Sequence, residues 1–329
     1  MDVILNILTA NLLSPIVLFF VLGLAAAIAR SDLNIPEPFA KALSLYLMLA
    51  IGFKGGAEVA RAGLDSALLL LILAGIALSF IIPAIAFSIL RVASPLPRTD
   101  AAAVAAHYGS ISIVTFIAAS EFLQSQAIAF EGYLVAVAAA MEAPAILTGI
   151  WLAQRGRKAN SDTQGRERRM PSMREILFNG SIVMLVGAFI IGWITGDEGL
   201  ETMAPFVVDP FKGVLALFLL DMGLIAGRGL RSSLRMMGLR TILFGIYMPL
   251  ISAVIATGVV MLLDLSTGSG ALLITLAASA SYIAVPAAMR IALPEAKPAI
   301  YATMSLGITF PFNLAIGIPL YAALAAAVT

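Results

Sequence analysis

At 329 residues, with 61% hydrophobic and 12% charged, the chain is too apolar for a water-soluble domain and reads as an all-α polytopic membrane protein. A net charge of +1 argues against a nucleic-acid partner. The absence of cysteine excludes disulfides, thiolate metal sites and a cysteine nucleophile.

About 20 apolar residues cross a bilayer as a helix. On that length the sequence predicts ten spans, at 12–29, 37–57, 66–90, 99–122, 131–154, 176–195, 206–227, 238–263, 269–291 and 298–327. No Lys or Arg precedes the first run, so it is read as a retained span and not as a secretory signal. Ala25-Ala26-Ala27 is the one feature that imitates a cleavage site.

Basic residues in short loops set orientation. Placing the linker 155–175 in the cytoplasm puts Arg155, Arg157, Lys158, Arg166, Arg168, Arg169 and Arg174 inside. Arg30, Lys41, Arg91, Arg98, Arg228, Arg231, Arg235, Arg240, Arg290 and Lys297 then fall on the same side, and only Lys54, Arg61 and Lys212 remain outside. Both termini are expected to be external.

Division at the linker gives a first five-span repeat over 1–154, a cytoplasmic basic linker over 155–175 and a second repeat over 176–329. Five spans per repeat makes the second enter the membrane from the opposite side. Pro38-Phe39 with Leu43, Leu45, Leu47 and Gly55 matches Pro210-Phe211 with Leu215, Leu217, Leu219 and Gly227 at an offset of 172. Ser110-Ile111-Ser112 with Ala118-Ala119 matches Ser279-Ala280-Ser281 with Ala287-Ala288 at an offset of 169. Chance similarity of Ala/Leu-rich helices is the alternative. Paired interruptions in corresponding spans point to a transporter site built on inverted repeats, with broken fourth and ninth spans.

Non-helical backbone at membrane depth survives only inside protein or beside a hydrated cavity. Two half-helices starting at these breaks present free N–H groups and partial positive charge, each worth about 0.3–2 kcal/mol to an anion. Ser110, Ile111, Ser112, Thr115, Ser279, Ser281 and Tyr282 form the expected substrate-binding set. The competing reading is that the serines are small residues that let helices pack closely.

Three further expectations concern isolated charges and the single histidine. Glu121 and Arg290 occupy equivalent repeat positions, which inversion places at opposite faces, so each is expected at a solvated rim. Lys54 and Glu58, four apart near the outer end of the second span, are expected to form a surface pair or to reach to the headgroups. His107 shares one turn with Ser110, a poor arrangement for a hydrolase, and reads as a packing residue. No catalytic residue is expected, and the protein is not read as an enzyme.

The pieces Ile51-Gly52-Phe53-Lys54-Gly55-Gly56, Tyr108-Gly109-Ser110-Ile111-Ser112, Glu142-Ala143-Pro144, Met222-Gly223-Leu224, Ala277 to Arg290 and Ala315-Ile316-Gly317-Ile318-Pro319 occur in an order that resembles the sodium-dependent bicarbonate transporter family first recognised in cyanobacteria. The resemblance implies ten spans in inverted repeats, sodium-coupled bicarbonate uptake across the inner (plasma) membrane, a homotrimer and, in cyanobacteria, control by a small PII-like signalling protein. It implies no cofactor beyond sodium as coupling ion. This chain departs from the cyanobacterial members at Ile113-Val114, where they have Gly-Ser, at Tyr282, where they have Asp, and at Glu142, where they also have Asp.

Sodium takes oxygen ligands, so the carbonyls around 109–112 and 279–282 are candidates, with Glu142, Thr309, Asn313 and Asp221 as ion-binding side chains. Each has a second reading. Glu142 is otherwise a protonated or cytoplasmically solvated carboxyl, Asn313 an interhelical hydrogen bond, and Asp221 a helix-packing contact. A passive anion channel and a non-transporting membrane sensor docking through the linker remain as alternatives to a carrier.

Overall fold

The computed structural model describes residues 13–63, 66–155, 180–233 and 237–329. Every regular element among them is helical: α1 (Pro15–Ile28), α2 (Glu37–Ala62), α3 (Ser66–Ala93), α4 (Arg98–Gly109), α5 (Ile113–Ser125) and α6 (Leu134–Gln154) lead up to the linker. After it come α7 (Gly180–Val207), α8 (Phe211–Ser233), α9 (Leu239–Leu262), α10 (Thr267–Ala277), α11 (Ala284–Ala292) and a final stretch, α12 (Pro298–Val328). Among the described residues seven helical stretches, with Arg98–Ser125 as one, are long and apolar enough to cross a membrane, and Pro15–Ile28 and Thr267–Ala277 are shorter apolar helices. Helices suit that setting because they satisfy their backbone groups internally.

The expected sixth span differs most. Its start and the linker beyond Arg155 lie outside the described residues, as does Arg235. Its helix continues past the expected end at 195 to Val207, with a sharp kink at Gly196. There φ is 57° and ψ is −143°, a conformation only glycine adopts without strain.

The helices form two packed groups. In one, α1 lies along α8 and α2 along α7. Glycines let these backbones touch: Gly223 rests on the Phe20 carbonyl, Gly23 on that of Leu220, Gly56 on that of Phe189 and Gly192 on that of Phe53, with no room for a Cβ. Lipid tails are as apolar as the side chains, so close approach through small residues is what draws such helices together. In the other group α3, α4 and α6 pack on one another, as do α9, α10 and the last turns of α12.

The core of that second group is formed by the interrupted segments. α4 is buried from Asp100 to Gly109, α5 from Ile113 to Leu123 and α10 from Gly268 to Ala277. Their neighbours carry the outward apolar surface, including Leu69, Leu70 and Leu73 on α3 and Val254 and Leu262 on α9. α12 is irregular, with π-helical turns at Thr303–Thr309 and Asn313–Gly317 that displace its register beside the breaks.

Candidate functional site: the crossing of two broken helices

Both interruptions expected from the Ser-x-Ser segments are present. α4 ends at Gly109 because the chain is pressed between α3 and α6. A Cβ at Gly109 would collide with the Pro83 ring and lie 3.1 Å from the Ala145 Cβ. Ser110 then turns extended (φ −90°, ψ 166°), and α5 restarts with Ser112 as its N-cap, its Oγ accepting the Thr115 N–H at 3.2 Å. The second interruption runs from Ala278 to Ile283, between α10 and α11.

The two breaks meet and complete each other. Ser112 N–H donates to Ser279 Oγ at 2.8 Å, and that hydroxyl donates to the Leu276 carbonyl at 2.8 Å. Ser281 N–H donates to the His107 carbonyl at 2.8 Å. The second break thus takes up an orphan backbone group at each of the two helix ends that flank the first, as buried backbone requires.

Two residues of α12 brace the crossing. Asn313 Nδ2 donates to the Ala278 carbonyl at 2.9 Å, and its Oδ1 accepts the Tyr321 hydroxyl at 2.7 Å. Thr309 Oγ1 donates to the Gly245 carbonyl at 2.7 Å, so the Tyr108 hydroxyl, 2.6 Å away, donates to Thr309. Both polar atoms of Asn313 and the hydroxyl of Thr309 are therefore occupied by protein. The sequence alone gave no sign of Tyr108 or Tyr321 as partners.

Some buried polar atoms have no protein partner: Ser110 Oγ and the Tyr282 hydroxyl among the expected substrate residues, together with His107 Nε2 and Asp221 Oδ2. Ser112 Oγ accepts twice, from the Thr115 N–H and, at 2.9 Å, the Thr115 hydroxyl, which leaves its own hydrogen to donate. Tyr282 lies near Ser112 and stands edge-on to Phe310 with ring centroids 5.4 Å apart. Unpaired hydroxyls are costly in a buried setting, and a group of donors beside a helix start is suited to an anion.

The remaining expected residues are dispersed. Glu142 is buried on α6 one turn from Ala145, the residue that abuts Gly109. Pro144 lies inside that helix, and the Ser79 hydroxyl bonds the Met141 carbonyl in the turn before it. Asp221 is buried on α8, which packs on α1 and on the Thr303–Thr309 turn; among the described contacts none joins it to the crossing. His107 stacks on Tyr301 at 4.5 Å and its Nδ1 bonds the Ala103 carbonyl at 2.6 Å, so no Ser–His pair exists with Ser110. Among the described residues no group of three His, Asp or Glu gathers to hold a metal ion.

Two charge expectations are corrected. Glu121 is no solvated rim residue: it is 8% exposed and paired with Lys212 at 2.9 Å, because α5 packs inside the protein over its whole first three turns. Lys54 and Glu58 do not pair. Glu58 bonds Arg61 at 3.1 Å, Arg61 also bonds Asp197 at 2.5 Å, and Lys54 Nζ lies 4.3 Å from the centre of the Phe211 ring.

With the geometry in place, the comparison with protein families decides the class. The model of the Na+-dependent bicarbonate transporter superfamily matches residues 15–326. The chain belongs to that superfamily. It is an integral membrane protein of a transporter family, as the resemblance in the motif order implied. Comparison with curated proteins returned no match.

Proposed function

We propose that the protein is a secondary transporter that couples sodium to the uptake of bicarbonate or a similar small anion by alternating access. The observation that carries the reading is the crossing itself: two broken helices meet inside the protein, with the Ser110 hydroxyl lacking a protein partner and the Tyr282 hydroxyl facing that of Ser112. The anion is bound by those hydroxyls, by Ser112, and by the N–H groups that open α5. Ser279 and Ser281 hold the two breaks together, and Thr115 fixes the Ser112 hydroxyl. Ile111 closes the turn with apolar surface.

Sodium, a co-transported substrate, is held by carbonyls exposed at the breaks. Glu142, one turn from the Ala145 that abuts Gly109, is the carboxylate assigned to it. Asn313 braces the second break through the Ala278 carbonyl, Thr309 ties α9 to α4 through the Gly245 carbonyl and Tyr108, and Asp221 serves a separate role on α8. One sodium carried with one bicarbonate moves no net charge, so the membrane potential, worth about 2.3 kcal/mol per charge per 100 mV, does not contribute. The sodium gradient supplies about 1.4 kcal/mol for each tenfold ratio.

The inverted repeat is supported by the packing. The carbonyls of Phe20 and Phe189, 169 residues apart, each receive a glycine from the opposite half, Gly223 and Gly56, which are 167 apart. In this reading α1, α2, α7 and α8 form the frame against which the crossing-bearing helices move. The ten spans, external termini, inner-membrane location and homotrimer belong to the same proposal, with the basic linker as the docking place for a PII-like regulator.

Labelled bicarbonate uptake into proteoliposomes, measured with sodium or choline outside, tests the function. Uptake that depends on sodium is expected. Equal uptake in choline would replace the carrier by a passive channel, and no uptake of any small anion would remove transport.

A further inference from the structure

Beyond the crossing, a cavity of about 350 Å³ lies between α2 and α5, on the face that the distribution of basic residues makes external. Lys54, Glu58, Ser120, Glu121 and Gln124 supply its polar groups. Both carboxylates facing it are already paired, Glu58 with Arg61 and Glu121 with Lys212. The Ser120 hydroxyl donates to the Phe116 carbonyl at 3.0 Å.

Lys54 stands apart. Its ammonium is attracted by Glu121 and repelled by Lys212, and it lies 4.3 Å from the Phe211 ring. Among the described residues no acceptor is at hydrogen-bond distance from Nζ, although an ammonium carries three donors. A ring face is a weak partner for an ammonium, and a half-buried cation without an acceptor gains more from an anion than an exposed one does.

We propose that the Lys54 ammonium and the Gln124 amide form a second, peripheral site in this cavity, which receives a small monovalent oxyanion on its way to the crossing. The inference rests on reading the protein as an anion carrier. A single unpaired cation beside two carboxylates fits a monoanion and repels a dianion. Phe116 lines the cavity, and its N–H bonds the Ser112 carbonyl in the first turn of α5. The peripheral site therefore lies one helical turn along α5 from the helix start at which the crossing binds its anion.

Two measurements test this. In proteoliposomes, Lys54→Gln is expected to raise the KM for bicarbonate about tenfold with kcat within about twofold, the mark of lost uniform binding, while Lys54→Arg keeps a KM near that of the parent protein. An unchanged KM in a Lys54→Gln protein that transports normally overturns the site and leaves the carrier reading standing. In purified parent protein, acetylation of Lys54 by an uncharged ester, read by mass spectrometry, is expected to slow about threefold in formate relative to the bulkier gluconate, with the exposed Lys41 unaffected. Absence of protection overturns the site even if the variants fail to insert. Protection of Lys54 in a protein that transports no anion keeps the site and removes the carrier reading.

Discussion

Replacing Asn313 with Leu separates two roles, brace and ion ligand. The side chain is fully buried, its Nδ2 bonded to the Ala278 carbonyl at 2.9 Å and its Oδ1 to the Tyr321 hydroxyl at 2.7 Å. Leucine strands both partners. A stranded buried group costs about 1–3 kcal/mol, whereas interhelical hydrogen bonds in membranes average about 0.6 kcal/mol, so the loss falls between about 1 and 6 kcal/mol. The upper part of the range is expected, because Ala278 ends α10 and its carbonyl has no helical alternative. Tyr321→Phe strands only Asn313 Oδ1 and costs less. The double variant is expected to cost less than the two single losses together, since the hydroxyl stranded by Asn313→Leu is then absent. Thermal unfolding of the detergent-solubilised protein measures all three. A wild-type midpoint for Asn313→Leu, or strict additivity, would refute the bracing role.

Other substitutions probe the crossing and its frame. Ser112→Leu and Ser281→Leu are each expected to abolish bicarbonate uptake while the protein still inserts and assembles, as read by uptake beside size-exclusion chromatography. Ser110→Ala removes a hydroxyl that bonds nothing among the described residues, and Tyr282→Phe one that faces only Ser112. They are expected to leave the unfolding midpoint unchanged or slightly raised and to raise KM about tenfold, about 1.4 kcal/mol of lost binding. Gly223→Leu pushes a side chain into the Phe20 carbonyl and separates α1 from α8, so a loss of more than about 3 kcal/mol in stability is expected in the same unfolding measurement.

Much of this arrangement was legible in the sequence, for a physical reason. Hydrocarbon demands apolar runs of near-constant length, so nearly every span shows as one, and a pair of serines interrupting such a run stands out at Ser110 and Ser279. The end of α7 was missed because Asp197, Glu198 and Glu201 make the continuation beyond Gly196 look like a loop, although it remains helical. Glu121 was misplaced because α5 packs inside the protein and its partner Lys212 comes 91 positions later, and no local pattern reports a partner at that distance. The pairing of Asn313 with Tyr321 and Ala278 was hidden for the same reason, and so was the division of labour among Thr309, Asn313, Glu142 and Asp221. Local composition places polar residues in the membrane, but packing decides which of them are already satisfied.

Sodium and anion coupling at the crossing is most directly tested by running it backwards. Coupling of two ligands is reciprocal, so a bicarbonate gradient must drive sodium as surely as sodium drives bicarbonate. Proteoliposomes with equal sodium on both sides and an inward bicarbonate gradient are expected to accumulate labelled sodium above equilibrium. The same vesicles carrying Ser112→Leu should not. Sodium that never exceeds equilibrium in the parent protein, or accumulates equally in Ser112→Leu, would contradict a coupled site at the crossing of the two broken helices.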